Sequence, residues 1–357
     1  MNLTMIRALP LLCGLAMTMA AVPTSAQDKP PLTLFTNVHV FDGKADKRIM
    51  NANVLVEGNL IKQVSSEPLA AANAKVIDGG GRTLMPGLID AHVHITAATP
   101  DLARLEAMPV SYVTHWTARN LGEMLDRGFT SVRDVGGGDA GHRRAQEEGM
   151  LRSPRLTVSG KALGQTGGHT DFRGTARTDI GDLQRRHTPG LGRIVDGVPA
   201  CLMAARDELR LGADFIKITA TGGVLSLAKS GMNPQFTDEE VAAIVSAAND
   251  YGMHVAAHAH GAEGMLRAVR AGVRSIEHGT FMNDEIIDLM KEEGSFYVPT
   301  ILAGRFVAEK AQEKGYFPDV VRPKAAAVGP QIESTFAKAW KAGVTIAFGT
   351  DCGVSPH

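Results

Sequence analysis

The chain has 357 residues, more than the roughly 250–300 at which a single hydrophobic core stops growing. Its 37 Lys and Arg residues balance 38 Asp and Glu residues, so the net charge is −1 and no global basic field favours nucleic acid. With 39 glycines and 44% apolar residues, the composition suits an α/β protein with many tight turns. We therefore expect one large domain with a smaller one, and no nucleic-acid partner.

Residues 1–26 predict a cleavable signal peptide. A positive charge at Arg7 precedes a largely apolar run from residue 8 to 22, and small residues follow at 24–26. The apolar run is short for a membrane span, which favours cleavage over the alternative, an uncleaved N-terminal anchor. We expect a secreted or periplasmic protein that has no membrane attachment after cleavage.

Residues 27–85 predict the N-terminal part of a small β domain. The segments "LTLFTNVHVFDG", "NVLVEGNLIKQV" and "AKVIDGGGRTLM" are strand-like and are separated by Gly, Asn and Asp turns.

Residues 86–357 change to apolar strands that alternate with amphipathic helices, such as "TDEEVAAIVSAANDYG" with its capping box at Thr237 and Glu240. Eight strands are predicted: Leu88–Ile95, Thr130–Val135, Arg155–Ser159, Asp214–Thr219, His254–His258, Ser275–Glu277, Phe296–Pro299 and Thr345–Phe348. This alternation favours a TIM (β/α)8 barrel over a doubly wound sheet. Only "GTDCGVSPH" follows the last strand, so we expect a truncated C-terminus that lacks the last helix, which leaves closure of the barrel in question.

The first barrel strand carries polar side chains among apolar ones. His92 and His94 are two residues apart, so both point to one face, and Asp90 shares that face one step deeper. Paired neutral imidazoles can chelate a metal such as zinc, although a single His-x-His is also compatible with hydrogen-bonded core histidines.

Later strands add further polar residues at or near their C-terminal ends. Lys217 lies inside the apolar "DFIKITATGG", where burial favours the neutral amine. A neutral amine can take up carbon dioxide, and the carbamate has two oxygens that can bridge two cations; a lysine paired with a carboxylate is the alternative. Histidines 258 and 260 lie in "HVAAHAHG", His278 in "SIEHGT" and Asp351 in "TIAFGTD". The combination is more specific than any one member.

The motifs "PGLIDAHVHI", "IKITATGG", "HAHG", "SIEHGT" and "FGTD" resemble those of the metal-dependent amidohydrolase superfamily. "TSVRDVGG", "GQTGGHTD" and "VAAHAHGAEG" resemble its branch of prolidase-like Xaa-Pro dipeptidases, carboxypeptidases and ochratoxin-hydrolysing amidohydrolases. The resemblance implies a site with two divalent metal ions, expected to be zinc. Its implied ligands are His92, His94 and Asp351 for one metal, His258 and His278 for the other, and carbamylated Lys217 as the bridge.

The resemblance also implies a function and a second domain. We expect hydrolysis of the amide bond of a dipeptide or N-acyl amino acid, ochratoxin A among the candidates, with Asp351 as the base and then the acid. The alternatives are an imidazolonepropionase-like hydrolase of cyclic amides and a barrel that has lost catalysis. The small domain is expected to be a β-sandwich built from both chain ends, with its C-terminal strands absent here. We expect a homo-oligomer.

Two further histidines are candidate catalytic residues. His169 in "GQTGGHTD" follows two glycines and is predicted to donate to the substrate carbonyl oxygen as negative charge develops there. His260 lies nearer the mouth of the barrel than His258. This position suits a contact with the substrate carboxylate, or with a residue that binds the metal, more than a role as a metal ligand. The alternative for His169 is a loop histidine that has no substrate contact.

Overall fold

The computed structural model describes residues 30–173, 189–226 and 230–355. The signal peptide predicted at 1–26 lies outside these residues. The chain divides into two compact units, of which the first ends at Pro86 and the second begins at Gly87. Within the described ranges, no helix has both the length and the apolar character that crossing a membrane requires.

The first unit contains one five-stranded sheet in its described part. Its strands are β1 (Leu32–Val40), β2 (Ile49–Glu57), β3 (Leu60–Ser65), β4 (Lys75–Asp78) and β5 (Thr83–Leu84). The order is β3-β2-β1-β4, with β5 also on β1, and the β1–β2 and β2–β3 pairs are antiparallel. Gly58 makes the tight turn between β2 and β3 with a φ of 61°, a left-handed conformation that glycine adopts without strain. The second sheet of a β-sandwich remains a prediction.

The described part of the second unit contains nine parallel strands. They are β6 (Leu88–Val93), β7 (Phe129–Asp134), β8 (Arg155–Val158), β9 (Ala162–Gly164), β10 (Gly192–Ile194), β11 (Ile216–Thr219), β12 (Val255–Ala259), β13 (Ser275–His278) and β14 (Phe296–Val298). They pair in the orders β6-β7-β8 and β10-β9-β11-β12-β13-β14. The Asp214 N–H donates to the Val158 carbonyl at 2.8 Å, which links β8 to the start of β11.

The segment after the helix Arg322–Ala342 forms hydrogen bonds with a strand on each side. The Tyr297 N–H donates to the Thr345 carbonyl at 2.9 Å on one side, and on the other the Ala91 N–H donates to the Phe348 carbonyl at 2.8 Å. The predicted eighth strand, Thr345–Phe348, is reduced to a single bridge between Ile346 and Tyr297, yet it bonds to both neighbours. The arrangement is α/β of the TIM-barrel type, and these bonds join the segment to β14 and β6; a fully closed barrel remains a prediction.

Helices connect the strands and cover them. They are α1 (Leu102–Glu106), α2 (Val110–Asp126), α3 (Ala140–Glu147), α4 (Val198–Arg210), α5 (Asp238–Asp250), α6 (Ala262–Arg270), α7 (Asp284–Glu292), α8 (Ile301–Lys310) and α9 (Arg322–Ala342). The capping box predicted for α5 is present: Thr237 Oγ1 accepts from the Glu240 N–H, and the Glu240 carboxylate accepts from the Thr237 N–H.

Two apolar clusters matter for the site. The larger one packs α4 to α7 against β11, β12 and β13, with Ile218, Ile244 and Ile276 fully buried. A smaller one joins α8 and α9 through Val307, Val328 and their neighbours. Burial of aliphatic side chains holds each cluster together, because each removes apolar surface from water.

Candidate active site

All six residues predicted as metal ligands meet at the C-terminal ends of the barrel strands. A cavity opens there. Its walls include His94, Lys217, His258, His278 and Asp351. His92 is fully buried beside it, and its Nε2 lies 3.4 Å from Asp351 Oδ1. The six side chains that were predicted to converge from different strands therefore lie close together.

Three of these residues form a tight group of donor atoms. His92, His278 and Asp351 each offer one atom, and the three atoms lie within 4.8 Å of one another. His94 Nε2 lies 3.6 Å from Asp351 Oδ1. His92 Nε2 and Asp351 Oδ1 are buried and have no hydrogen-bond partner among the described residues, although burying an unpaired polar atom is costly. Imidazole and carboxylate donors in this arrangement fit a divalent cation of the zinc type.

A buried carboxylate fixes the orientation of His92. Glu277 Oε2 lies 2.8 Å from His92 Nδ1, and Glu277 Oε1 accepts from Arg133 Nη2 and from Ser275 Oγ, each at 2.6 Å. Burial alone would raise the pKa of Glu277, but the charge of Arg133 and the hydrogen bond of His92 hold that pKa well below its usual value. Because an ionised carboxylate only accepts, His92 carries its proton on Nδ1 and presents a lone pair on Nε2.

Two other histidines are oriented in the same way. His94 Nδ1 lies 3.0 Å from the Gly136 carbonyl. His278 Nδ1 lies 2.7 Å from Thr300 Oγ1, whose hydroxyl proton is directed to the Pro299 carbonyl at 2.7 Å. Both partners therefore accept from Nδ1–H and leave Nε2 available to a metal.

His258 has the opposite orientation. Its Nε2 lies 3.1 Å from the Gly222 carbonyl, which can only accept, so the proton is on Nε2 and the lone pair is on Nδ1. Its ring centroid is 4.7 Å from that of His278. A metal held by these two histidines would meet Nδ1 of one and Nε2 of the other.

Lys217 is buried in β11, and its amine makes no ion pair within the described part of the chain. The ion-paired alternative left open by the sequence is therefore not formed among these residues. Burial lowers the pKa of Lys217 to about 8, against the opposing charge of Glu277 and with the help of Arg133. A larger neutral fraction is what uptake of carbon dioxide by the amine requires.

Backbone strain is concentrated at this site. Among the residues that the structure describes in the second unit, three besides glycine have left-handed backbone: His278 (φ 69°), Thr300 (φ 48°) and Asp351 (φ 61°). All three line the cavity. In the first unit, by contrast, the residues with this backbone besides glycine are asparagines, which tolerate it. Strain of this kind typically persists where function requires it.

His169 and His260 also line the cavity. His169 Nδ1 is buried and has no partner in the described residues, while burial and the neighbouring His260 lower the pKa of His169 to about 3. A Cβ on Gly223 would lie 2.0 Å from the His169 ring, so only glycine leaves room for that ring. Burial lowers the pKa of His260 to about 4, and its Nδ1 bonds to Thr280 Oγ1 at 2.8 Å. Both imidazoles are neutral near pH 7.

Asp90 lies below the site and is not placed as a ligand. It accepts from the His92 N–H at 3.0 Å and from the Thr350 hydroxyl, so it links β6 to the segment that carries Asp351. Sequence reasoning missed Glu277 and Thr300, whereas it expected Arg133 to form a structural ion pair, which it does with Glu277. Glu277 could have been identified as a charged residue inside the strand "SIEH", in which all four residues are buried.

The chain belongs to the amidohydrolase family, which it matches over residues 83–357. Among curated proteins it is similar to ochratoxinase of Aspergillus niger, 33% identical over 325 residues, or 85% of this chain and 65% of the relative. The chain thus spans 65% of the length of this curated relative. The family resemblance predicted from the sequence motifs is confirmed.

Among solved structures, the chain is similar to a dipeptidase, a prolidase and an ochratoxinase. A Xaa-Pro dipeptidase with methionine bound in its active site is 44% identical, with a TM-score of 0.83 over 91% of this chain and 80% of the other. A prolidase complexed with N-methylphosphonate-L-proline is 37% identical, with a TM-score of 0.86 over 90% and 78% of the two chains. The A. niger ochratoxinase structure is 29% identical, with a TM-score of 0.78 over 92% and 78%.

Proposed function

We propose that the protein is a metal-dependent hydrolase that cleaves the amide bond of a dipeptide or N-acyl amino acid. The observation that carries this proposal is the group of buried donor atoms at the strand ends, in which His92 Nε2 and Asp351 Oδ1 have no partner among the described residues. Membership of the amidohydrolase family supports it.

The donors divide into two sets. His92, His94 and Asp351 would hold one divalent ion, expected to be zinc, and His258 and His278 would hold a second. Lys217, carbamylated by carbon dioxide, would bridge them. Two bound cations would supply a water of lowered pKa and polarise the amide carbonyl.

Side chains of the protein would transfer the proton and contact the substrate. Burial alone would raise the pKa of Asp351, but the adjacent His92 and His94 keep that pKa below its usual value, so Asp351 is a carboxylate. It can take a proton on Oδ1 from the attacking water and return it to the leaving amine. His169, a neutral imidazole at the cavity wall, can donate a hydrogen bond to the carbonyl oxygen as charge develops on it. His260 would contact the substrate carboxylate or one of the residues that bind the metals.

The similar proteins suggest where to begin with substrates. The solved relatives are a dipeptidase with a bound amino acid and a prolidase with a proline phosphonate, and the curated relative is an ochratoxinase. Each of these relatives is compatible with a substrate that carries an amide bond next to a carboxylate. We propose ochratoxin A, N-acyl-phenylalanine and dipeptides as the first substrates, with phenylalanine as a released product.

The test uses full-length protein purified with zinc and bicarbonate. We expect about two metals per chain by elemental analysis and release of phenylalanine from ochratoxin A or N-acyl-phenylalanine. Lys217→Ala should lose the second metal and most of the activity, whereas Lys338→Ala, an exposed lysine of α9, should retain both. Retention of two metals by Lys217→Ala would refute the bridging carbamate, and failure to hydrolyse any amide would refute the proposed reaction.

We also propose that the protein is exported and forms a homo-oligomer. The sequence of residues 1–26 supports export. Fractionation of expressing cells and light scattering of the purified protein test these two points separately.

A further inference from the structure

The cavity has a polar part and an apolar part. The polar part contains the predicted ligands with His169 and His260. Away from them, one aliphatic wall is contributed by α8, α9 and two loop positions, and we call it the α8/α9 wall; other apolar residues, among them Leu102, Phe172 and Leu191, line the cavity elsewhere. Its residues are Val224, Ala303, Gly304, Val307, Val328, Ile332 and Val354.

The α8/α9 wall is fixed relative to the predicted metal site. Thr300, whose hydroxyl accepts from His278 Nδ1, immediately precedes α8, so Ala303 follows it by three residues. Ala303 and Val307 are one helical turn apart and therefore share a face of α8. The helix that carries this face therefore begins next to the hydrogen-bond partner of His278.

Close packing of the two helices determines the shape of the wall. A Cβ on Gly304 would lie 2.8 Å from Ile332 Cγ2, and a Cβ on Gly329 would lie 2.6 Å from Ala308 Cβ. Glycine at both positions lets α8 and α9 approach closely. Ala303, with a single methyl group, is the smallest side chain that the wall presents to the cavity, so it leaves space for a ligand group.

The α8/α9 wall carries no charge among the described residues. Lys217 and Asp351 are the lysine and the carboxylate that line the cavity in the described part of the chain, and both are assigned to the metal site. An ammonium or carboxylate placed against the wall would lose its water without gaining a partner, which is costly. A large apolar group there would instead be removed from water favourably.

From these observations, and resting on the amide hydrolysis proposed above, we propose that the α8/α9 wall is a side-chain pocket that determines specificity. It takes a large apolar group of the substrate, of leucine, methionine or phenylalanine type, and excludes basic and acidic side chains. Ala303 sets the size of the group that is accepted.

The kinetic test compares two panels of N-acyl amino acids and dipeptides. One panel varies the leaving residue and the other varies the acyl residue, with Ala, Leu, Phe, Lys and Asp side chains in each. In at least one panel the zinc-loaded protein should show kcat/KM at least about tenfold higher for Leu and Phe than for Lys and Asp. A preference for Lys or Asp, or equal rates for all five, would overturn the proposal.

Variants of α8 test the assignment to this wall. Ala303→Phe should reduce kcat/KM for Phe substrates more than for Ala substrates, and Ala303→Leu provides a smaller change if the phenylalanine variant does not fold. Val307→Asp should shift preference toward Lys, whereas Leu302→Asp, on the exposed side of the same helix, should not. Equal effects of the wall variants on every substrate, with metal content retained, would assign the wall a merely structural role.

A binding measurement separates this proposal from the proposed reaction. Calorimetry on zinc-loaded protein should show tighter binding of L-phenylalanine, which has no amide bond to cleave, than of L-lysine, and Ala303→Leu should narrow the difference in affinity. If no amide is hydrolysed but this preference is found, the reaction is wrong and the pocket stands. If amides are hydrolysed and the preference is reversed, the pocket is wrong and the reaction stands.

Discussion

The Glu277 carboxylate lies 2.8 Å from His92 Nδ1, and both side chains are completely buried although 185 residues separate them in the chain. Arg133 neutralises the carboxylate from the other side, with Nη2 2.6 Å from Oε1. Glu277 is therefore a positioning residue, which holds His92 with its Nε2 lone pair directed to the candidate metal site.

Glu277→Gln should weaken zinc binding by about 10–100-fold, because an amide holds the Nδ1–H tautomer of His92 less firmly. Competition between the metal-free protein and a chromophoric chelator measures this affinity. Glu208→Gln is a matched control, since Glu208 is also fully buried and paired with an arginine, Arg193, but lies outside the cavity wall. Equal zinc affinity in wild type and Glu277→Gln would contradict the positioning role.

Gly223→Ala should displace the imidazole of His169, because the new Cβ would lie 2.0 to 2.5 Å from three ring atoms. If His169 stabilises charge on the carbonyl oxygen, kcat should fall by about 10²–10³-fold, as for loss of one oxyanion donor. Zinc content should stay the same, since His169 is not among the predicted ligands. A Gly122→Ala control, in α2, adds a Cβ with no contact nearer than 3.6 Å and should leave kcat unchanged. Wild-type kcat in Gly223→Ala would remove His169 from the reaction.

The cap of α3 should give stability a two-sided pH dependence. Asp139 Oδ1 accepts from the His142 N–H and lies 2.8 Å from His142 Nδ1. Burial alone would raise the pKa of Asp139, but His142 lowers that pKa from 3.8 to about 2. Burial alone would lower the pKa of His142, but Asp139 raises that pKa above 6.5. The contribution of Asp139 to the free energy of unfolding is complete above its unfolded pKa and is lost as pH falls through its folded pKa. The contribution of His142 is complete below pH 6.5 and is lost as pH rises through its raised pKa.

The destabilisation by Asp139→Asn should therefore be largest between about pH 4 and pH 6.5 and smaller on either side. Urea unfolding midpoints of wild type and variant across this range measure the difference. Asp101→Asn is the control, because Asp101 caps α1 through the Arg104 N–H without a histidine. A difference that does not vary with pH would show that the charge pair contributes nothing to stability.

The sequence predicted the barrel strands and the residues at their ends because these depend on local period and order. Side chains two apart share a face of a strand, so His92 and His94 had to point together once the strand was recognised. The capping box at Thr237 likewise fixed the start of α5 from four residues.

What the sequence could not supply depends on distances between remote segments. The contact of Glu277 with His92 and that of Thr300 with His278 arise only when strands become neighbours in the folded barrel. The orientation of His258, set by the Gly222 carbonyl, is equally a product of the fold. Strands β9 and β10, of three residues each, were also unforeseen, since short strands carry little periodic signal.

Left-handed backbone at His278, Thr300 and Asp351 sets a limit on how far the protein can be stabilised by mutation. Such positions cost of order 1–3 kcal/mol each, and glycine would remove most of that cost. Glycine would also delete an imidazole, a hydroxyl or a carboxylate that lines the cavity. A laboratory selection for heat resistance alone would therefore favour exchanges at these positions that abolish activity, so variant libraries should be screened for turnover as well as for melting temperature.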